Sequence, residues 1–152
     1  MKLFSIRIII CFFCIFSFIN KAGSEDFVSY YKIEVGGVDI GTLRWDLLLK
    51  QNYYETSIFL ENKGLLSGLY KYKGKYFSKG QIINEQLVST QYQQLWETKK
   101  KRKEIKIEFK NSKINNFSSL PKEIEGPRVN FKKLVKLGDP LSSFLNILIS
   151  TF

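Results

Sequence analysis

The sequence contains no histidine and only two cysteines and three prolines among its 152 residues. Without histidine, the chain cannot form a Ser-His-Asp site, a Cys-His site or a His-ligated zinc site. Both cysteines, Cys11 and Cys14, lie in an apolar N-terminal stretch. If export removes that stretch, a disulfide framework, a cysteine nucleophile and a thiolate metal site are excluded together. We therefore expect no metal, no other cofactor and no enzymatic activity.

The N-terminal segment has the order typical of a secretory signal peptide. A basic start with Lys2 and Arg7 precedes an apolar run at residues 8–19, and small residues end the segment at Ser24. A run of this length is shorter than the roughly 20 residues that a membrane-spanning helix needs. We predict a signal peptide over residues 1–24 and one mature domain over residues 25–152 in the periplasm. An uncleaved inner-membrane anchor is the alternative.

Positive charge dominates the chain, with 24 Lys and Arg residues against 14 Asp and Glu residues and a formal net charge of +10. Removal of residues 1–24 takes away three basic residues and no acidic one, so a clear positive excess remains. Such an excess favours anionic partners such as phospholipid or lipopolysaccharide head groups. The alternative interpretation is that the many lysines reflect composition and solubility alone.

Alternating apolar and polar residues predict strands through the middle of the chain. All three prolines follow residue 120, so residues 27–110 can form an uninterrupted hydrogen-bonded ladder. The alternation predicts six antiparallel strands in this stretch, and Gly36-Gly37 predicts a tight hairpin turn. We interpret residues 64–68 as a buried crossing between strands and residues 111–130 as an irregular connection or a short edge strand. Residues 131–137 form a further candidate strand.

Asp139 and Pro140 predict the start of a helix over residues 140–151, because Asp caps free N–H groups and Pro suits the first helical position. This helix must dock on the sheet, because its apolar residues recur at helical spacing. The fold we predict is mainly β: an antiparallel curled sheet, either a β-roll or an open barrel, with this helix packed on its concave face. The predicted apolar face of the helix contains Leu141, Phe144, Leu145, Leu148 and Phe152.

Four motifs occur in an order that resembles a known bacterial family. They are Y-x-x-x-V-G-G-x-x-x-G at residues 31–41, G-L-L-S-G-L-Y at 64–70, K-G at 79–80 and D-P-L-S at 139–142. Together they resemble the domain-of-unknown-function family thirty-one-oh-eight over about 110 residues. The resemblance implies an exported, mostly antiparallel β protein of the Gram-negative envelope with no established activity. It also implies further strands after the helix, which this chain does not contain, so it resembles a C-terminally short member.

Two sets of residues are candidates for binding. The first is a basic run between two predicted strands, which is either a solvated hairpin tip or a contact with anionic head groups; we expect no nucleic-acid partner. The second is a set of aromatic residues that either line a cavity for a hydrophobic ligand or fill the core. The basic run consists of Lys99, Lys100, Lys101, Arg102 and Lys103, and the aromatic set consists of Trp45, Tyr54, Tyr72, Tyr92 and Trp96.

The function that these features favour is a non-catalytic periplasmic protein of the envelope that binds a hydrophobic or envelope-derived ligand. The alternative is an interaction module that binds an envelope protein through an open sheet edge or through the C-terminal helix. A carboxylate-based hydrolase is a third hypothesis, because carboxylates are the remaining acid–base groups of the mature chain. Its candidates lie on or beside outward strand faces, and no pair stands out: Glu55, Glu61, Glu97, Glu104 and Glu108.

Overall fold

The computed structural model describes residues 25–122, 134 and 138–150. The predicted signal peptide at residues 1–24 lies outside the described residues, as do residues 151–152 and nearly all of the candidate strand at residues 131–137. No helix in the described part of the chain is both long enough and apolar enough to cross a membrane.

Within the described residues, seven antiparallel strands form one sheet in which every strand lies next to its neighbours in sequence. The sheet is open, because β1 and β7 are its two edges and do not pair with each other. The predicted fold class, a mainly β protein with an antiparallel sheet and a C-terminal helix, is confirmed. The strands are β1 (Glu25–Val35), β2 (Val38–Lys50), β3 (Tyr53–Asn62), β4 (Tyr72–Ile83), β5 (Gln86–Thr98), β6 (Arg102–Lys110) and β7 (Lys113–Leu120).

Tight turns with left-handed backbone connect three of the hairpins. Gly36 and Gly37 have φ of 58° and 80°, which confirms the predicted glycine turn between β1 and β2. Asn84-Glu85 and Asn111-Ser112 also have positive φ at both central residues. Positive φ at both positions matches the twist of antiparallel hairpins, so these turns continue the sheet as a simple meander.

Two elements differ from the expectation. Residues 113–120, within the polar stretch, form β7, so the edge-strand alternative is the correct one for them. The crossing expected at residues 64–68 is instead a short helix, α1 (Leu65–Leu69); Gly64 and Gly68 are exposed, and Leu69 at the end of the helix is 84% exposed. The chain can enter this helix because Gly64 has a φ of +67°, and a Cβ there would lie 2.8 Å from the carbonyl oxygen of Asp39.

The second helix, α2 (Pro140–Ser150), packs on one face of the sheet against β4 and β5. Its N-terminus is capped as predicted, because the Asp139 carboxylate accepts hydrogen bonds from the N–H groups of Leu141 (2.8 Å) and Ser142 (3.1 Å). The predicted apolar face is only partly correct. Leu145 is buried, but Phe144 is 48% exposed and contacts Trp45 at a ring-centroid distance of 6.0 Å. Ser142, which is not part of the predicted apolar face, is buried.

Ser142 is buried because it belongs to a group of hydrogen-bonded polar side chains that joins α2 to the sheet. The Asp139 carboxylate accepts from the hydroxyls of Ser78 (2.7 Å) and Ser89, and the Ser89 and Ser142 hydroxyls lie 2.6 Å apart. Every member is at most 5% exposed. Satisfied networks of this kind fix one arrangement, since an unpaired buried polar group costs about 1–3 kcal/mol. This polar cluster consists of Tyr54, Ser78, Ser89, Asp139 and Ser142.

A second contact joins α2 to the start of β5. The side chain of Asn146 accepts from the backbone N–H of Leu87 (2.8 Å) and donates to the carbonyl oxygen of Leu87 (3.0 Å). The pairing of β6 with β5 spans residues 91–97 of β5, so Leu87 lies beyond it. Asn146 therefore satisfies backbone groups that a neighbouring strand would otherwise satisfy.

Candidate functional site

Three of the five residues of the basic run form the turn of the β5–β6 hairpin. The Thr98 hydroxyl oxygen accepts from the backbone N–H groups of Lys100 (3.3 Å) and Lys101 (3.0 Å), and the Thr98 N–H donates to the Lys101 carbonyl oxygen (2.7 Å). The turn is thereby fixed with its lysines exposed. Arg102 and Lys103 lie at the start of β6 and, as consecutive strand residues, point to opposite faces of the sheet.

The connection that contains α1 reaches the same end of the sheet. Asn62, the last residue of β3, ties it down: its side-chain oxygen accepts from the Tyr72 N–H (2.7 Å), and its side-chain nitrogen donates to the Tyr70 carbonyl oxygen. These bonds fix the course of the chain at residues 70–72. Leu69 is 84% exposed and Tyr70 is 57% exposed.

One hydrogen bond joins the two segments. The Lys99 ammonium donates to the carbonyl oxygen of Gly68 at 2.6 Å. A pocket of about 560 Å³ opens between them, and Trp96 forms part of its wall. We call this end of the sheet the tip; it consists of Leu69, Tyr70, Lys71, Trp96, Thr98, Lys99, Lys100 and Lys101.

The tip thus combines residues from both predicted sets with residues that sequence reasoning missed. Trp96 was expected in a ligand cavity and the lysines on an anionic surface, and the structure places them in one pocket. Leu69 and Tyr70 were not predicted, because the apolar, glycine-rich stretch before them was interpreted as buried. Among the described residues, the pocket lining carries four lysines and no Asp or Glu, so the lining has a net positive charge.

The aromatic set lies on one face of the sheet but in four different surroundings, one of which is the tip, where Trp96 lies. Tyr54 and Tyr92 are buried, at 0% and 5% exposed. Trp45 donates to the Thr56 hydroxyl at 2.9 Å and packs on the helix. Tyr72 is half-buried. The structure therefore does not gather all five around one cavity, and a shared hydrophobic ligand site stays a prediction.

Glycine at position 74 gives Tyr72 its place. Gly74 has no Cβ, and one built there would lie 2.9 Å from the Tyr76 ring and 3.0 Å from the Tyr72 hydroxyl. The two tyrosines close over the glycine, with their hydroxyl oxygens 2.7 Å apart. Burial, together with this hydrogen bond, raises the pKa of Tyr72 to about 12.

The polar cluster brings a carboxylate beside two serine hydroxyls, which are groups used in hydrolytic chemistry. Its position argues against that use, because Ser78 and Asp139 are at most 1% exposed and lie under α2. Among the described residues, the neighbours of these hydroxyls are the sheet and α2. The cluster acts as a joint between these two elements.

A groove of about 930 Å³ lies on the face opposite α2. Across it, the Arg44 guanidinium is sandwiched between the rings of Tyr30 (5.7 Å) and Phe59 (5.8 Å), and the Lys75 ammonium lies 5.1 Å from the Phe59 ring. Arg44 also pairs with the Asp46 carboxylate at 2.8 Å. The groove lining also includes the carboxylates of Asp39, Glu61 and Glu97, whereas the tip lining has none, so the groove carries less net positive charge than the tip.

The candidate carboxylates of a hydrolase also lie on this opposite face, where lysines meet several of them. Glu61 pairs with Lys73 at 3.1 Å, and Glu104 pairs with Lys106 at 2.7 Å. The hydrogen bond from Lys106 holds the pKa of Glu104 below its usual value. A general acid needs a raised pKa, so the environment of Glu104 favours a solvated partner for lysine rather than an acid catalyst.

No protein-family model matches the chain, and neither a curated protein nor a solved structure is significantly similar to it. The resemblance to the domain-of-unknown-function family thirty-one-oh-eight therefore stays a prediction from the four motifs.

Proposed function

We propose that this protein is a non-catalytic component of the cell envelope that docks its tip on an anionic lipid surface. The observation that carries the proposal is the juxtaposition of the exposed Leu69 and Tyr70 with the lysines of the β5–β6 turn. Export, implied by the N-terminal segment of the sequence, would bring the tip to membranes rich in phosphate-bearing head groups.

Charge and apolar surface at the tip act on different parts of a bilayer. Each lysine near an anionic surface contributes about 1 kcal/mol of attraction, which salt weakens. Leucine side chains gain by leaving water, and Tyr and Trp favour the boundary between head groups and acyl chains. Lys100 and Lys101 would contact the head groups, and the Leu69 side chain would enter the bilayer between these head groups.

The pocket between the two segments suits a single head group. Its volume of about 560 Å³ lies within the range of small-ligand sites. Lysine ammonium groups supply donors for phosphate oxygens, whereas the Thr98 hydroxyl already donates to the Lys101 carbonyl oxygen. Trp96 supplies an apolar wall for the start of an acyl chain.

Vesicle binding by two matched serine variants, one at the tip and one at the opposite end of the sheet, tests the apolar part of the proposal. Leu69→Ser removes the exposed side chain of the tip, while Ile83→Ser removes one that is 47% exposed at the opposite end of the sheet. On vesicles containing phosphatidylglycerol, we expect Leu69→Ser to lower the affinity about tenfold and Ile83→Ser to leave it unchanged.

Vesicles of phosphatidylcholine alone provide the second arm, and we expect the wild-type chain to bind them weakly. Equal binding to both vesicle types would contradict the electrostatic part of the proposal. Binding to lipopolysaccharide but not to phosphatidylglycerol vesicles would contradict the choice of phospholipid as the anionic surface. Because all variants carry the same N-terminal residues, differences between them report on the tip.

A further inference from the structure

The free edge of β1 carries several apolar side chains that the described part of the chain leaves uncovered. β1 pairs with β2 on one side and with no described strand on the other. Five large apolar side chains with exposures of 48–73% lie on this one strand: Phe27, Val28, Tyr30, Tyr31 and Val35.

Natural proteins protect free edges with prolines, charges, bulges or very short strands. β1 has 11 residues and no proline. Its bulge lies between Ile33 and Glu34, so the first nine residues keep a regular register with β2. Its one lysine, Lys32, pairs with Glu34 at 2.5 Å and with Asp39 at 3.8 Å within the same chain. The charged residues Glu25, Asp26, Lys32 and Glu34 lie towards the two ends of β1, so its central residues 27–31 carry no charge and are open to pairing with another strand.

The charges of β1 are complementary to those of a second β1 in one antiparallel register. With Ser29 at the two-fold axis, Asp26 lies opposite Lys32 of the second copy, where it would share the ammonium group with Glu34 and Asp39, and symmetry repeats this contact. A register centred on the next residue places Asp26 opposite Glu34 instead, which is repulsive. Ser29 is also a small residue, which suits the position where the strand meets its own copy.

The apolar side chains match in the same register. Phe27 lies opposite Tyr31 of the second copy on the face that carries α2, and Val28 lies opposite Tyr30 on the other face. Aromatic pairs and aromatic–β-branched pairs across strands are among the favourable ones. Each side chain that is half exposed in the single chain would thereby gain a neighbour.

We propose that two copies of this chain associate through β1, antiparallel and centred on Ser29, so that the two seven-stranded sheets become one continuous sheet. Two-fold symmetry is the commonest arrangement of homo-oligomers, and the contact is the same patch on both copies. This proposal does not depend on the lipid surface, because the tip lies outside β1.

A cysteine at the axis tests the register. In the full chain with Cys11→Ser and Cys14→Ser, Ser29→Cys places two thiols opposite each other. We expect mild oxidation to give a covalent dimer in high yield. Val35→Cys is the control: it is 64% exposed in the wild-type chain but lies far from its own copy in this register. Equal crosslinking of both variants, or none at Ser29→Cys, would overturn the proposal.

Charge exchange tests the pairing independently of crosslinking. Sedimentation equilibrium of the wild-type chain should show a dimer at micromolar concentration. We expect Asp26→Lys to weaken the dimer about tenfold or more and the double variant Asp26→Lys/Lys32→Asp to restore it. Circular dichroism checks that each variant keeps the β fold. A wild-type chain that stays monomeric, or a double variant no better than Asp26→Lys alone, would contradict the model.

Discussion

The Lys99 ammonium donates a 2.6 Å hydrogen bond to the carbonyl oxygen of Gly68, which lies 31 residues earlier in the chain. This bond crosses from the β5–β6 turn to α1, next to the exposed Leu69. It therefore sets the spacing between the charged and the apolar parts of the tip. The proposed lipid contact depends on that spacing, because head groups and acyl chains lie at different depths in a bilayer.

Loss of this bond should loosen α1 without unfolding the sheet. Lys99→Met keeps much of the side-chain length but removes the donor, at a cost of about 0.5–1.5 kcal/mol. We expect amide hydrogen exchange at residues 64–70 to accelerate several-fold. Lys110→Met, at the opposite end of the sheet, is the matched control and should leave these rates unchanged. Unchanged exchange in Lys99→Met would show that the bond does not hold the tip.

Removal of the Asp139 carboxylate should destabilise the fold more than removal of a neighbouring exposed hydroxyl. Asp139→Ala removes the helix cap and the carboxylate that accepts from the buried hydroxyls of Ser78 and Ser89. We expect the free energy of unfolding to fall by about 2–4 kcal/mol. Ser143→Ala, at an exposed position of the same helical turn, should change it by less than about 0.5 kcal/mol. Urea denaturation followed by tryptophan fluorescence measures both, and equal effects would contradict the role of the polar cluster.

Two glycines should respond to alanine in opposite ways. A Cβ at Gly80 would lie 2.0 Å from the carbonyl oxygen of Val88 and 2.8 Å from the Tyr54 ring, so the backbone of β4 must move. We expect Gly80→Ala to cost about 3 kcal/mol or more. A Cβ at Gly68 meets no described atom within 4 Å, so Gly68→Ala should be neutral or stabilising by up to about 1 kcal/mol. Thermal unfolding by circular dichroism compares the two; similar melting temperatures would be inconsistent with the close packing at Gly80.

Alkaline pH should destabilise the protein between about pH 10 and pH 12. Burial, with the nearby negative charge of Asp139, raises the pKa of Tyr92 from 10.0 to about 12. Below pH 10 the phenol is neutral in both states, so it does not affect stability. Between the two values the unfolded chain loses the proton that the folded chain keeps, and this favours unfolding. The urea midpoint should begin to fall at a lower pH in the wild-type chain than in Tyr92→Phe. The near-ultraviolet absorbance of phenolate should show a tyrosine that titrates late in this window in the wild-type chain and is missing from Tyr92→Phe.

Alternating apolar and polar residues predict most of the sheet, because successive residues of a strand point to opposite faces and one face of the central strands lies towards α2. β7 was less evident, since Lys113–Leu120 is largely exposed and its polar residues show little alternation. Pairing with β6 and the left-handed Asn111-Ser112 turn hold it in place. Sequence periodicity does not report either of these interactions.

Site residues were predicted in pieces for a similar reason. Trp96 and the lysines after it were recognised from composition, but their meeting with Leu69 depends on hydrogen bonds made by Asn62 and Lys99 to distant residues. Ser142 is buried because its hydroxyl and its backbone N–H form hydrogen bonds with Ser89 and Asp139. The helical pattern alone places this serine outside the apolar face. Contacts between residues far apart in sequence decide both outcomes.

The most direct measurement of the proposed function compares charge reversal at the two ends of the sheet. Lys100→Glu/Lys101→Glu alters the tip. Lys110→Glu/Lys113→Glu makes the same change of net charge at the β6–β7 turn, where these two lysines lie opposite each other on neighbouring strands. On phosphatidylglycerol vesicles at low salt, we predict that the first variant loses affinity by about tenfold or more and that the second binds nearly as well as the wild-type chain. Equal losses in the two variants would show that only net charge matters and would contradict a lipid site at the tip.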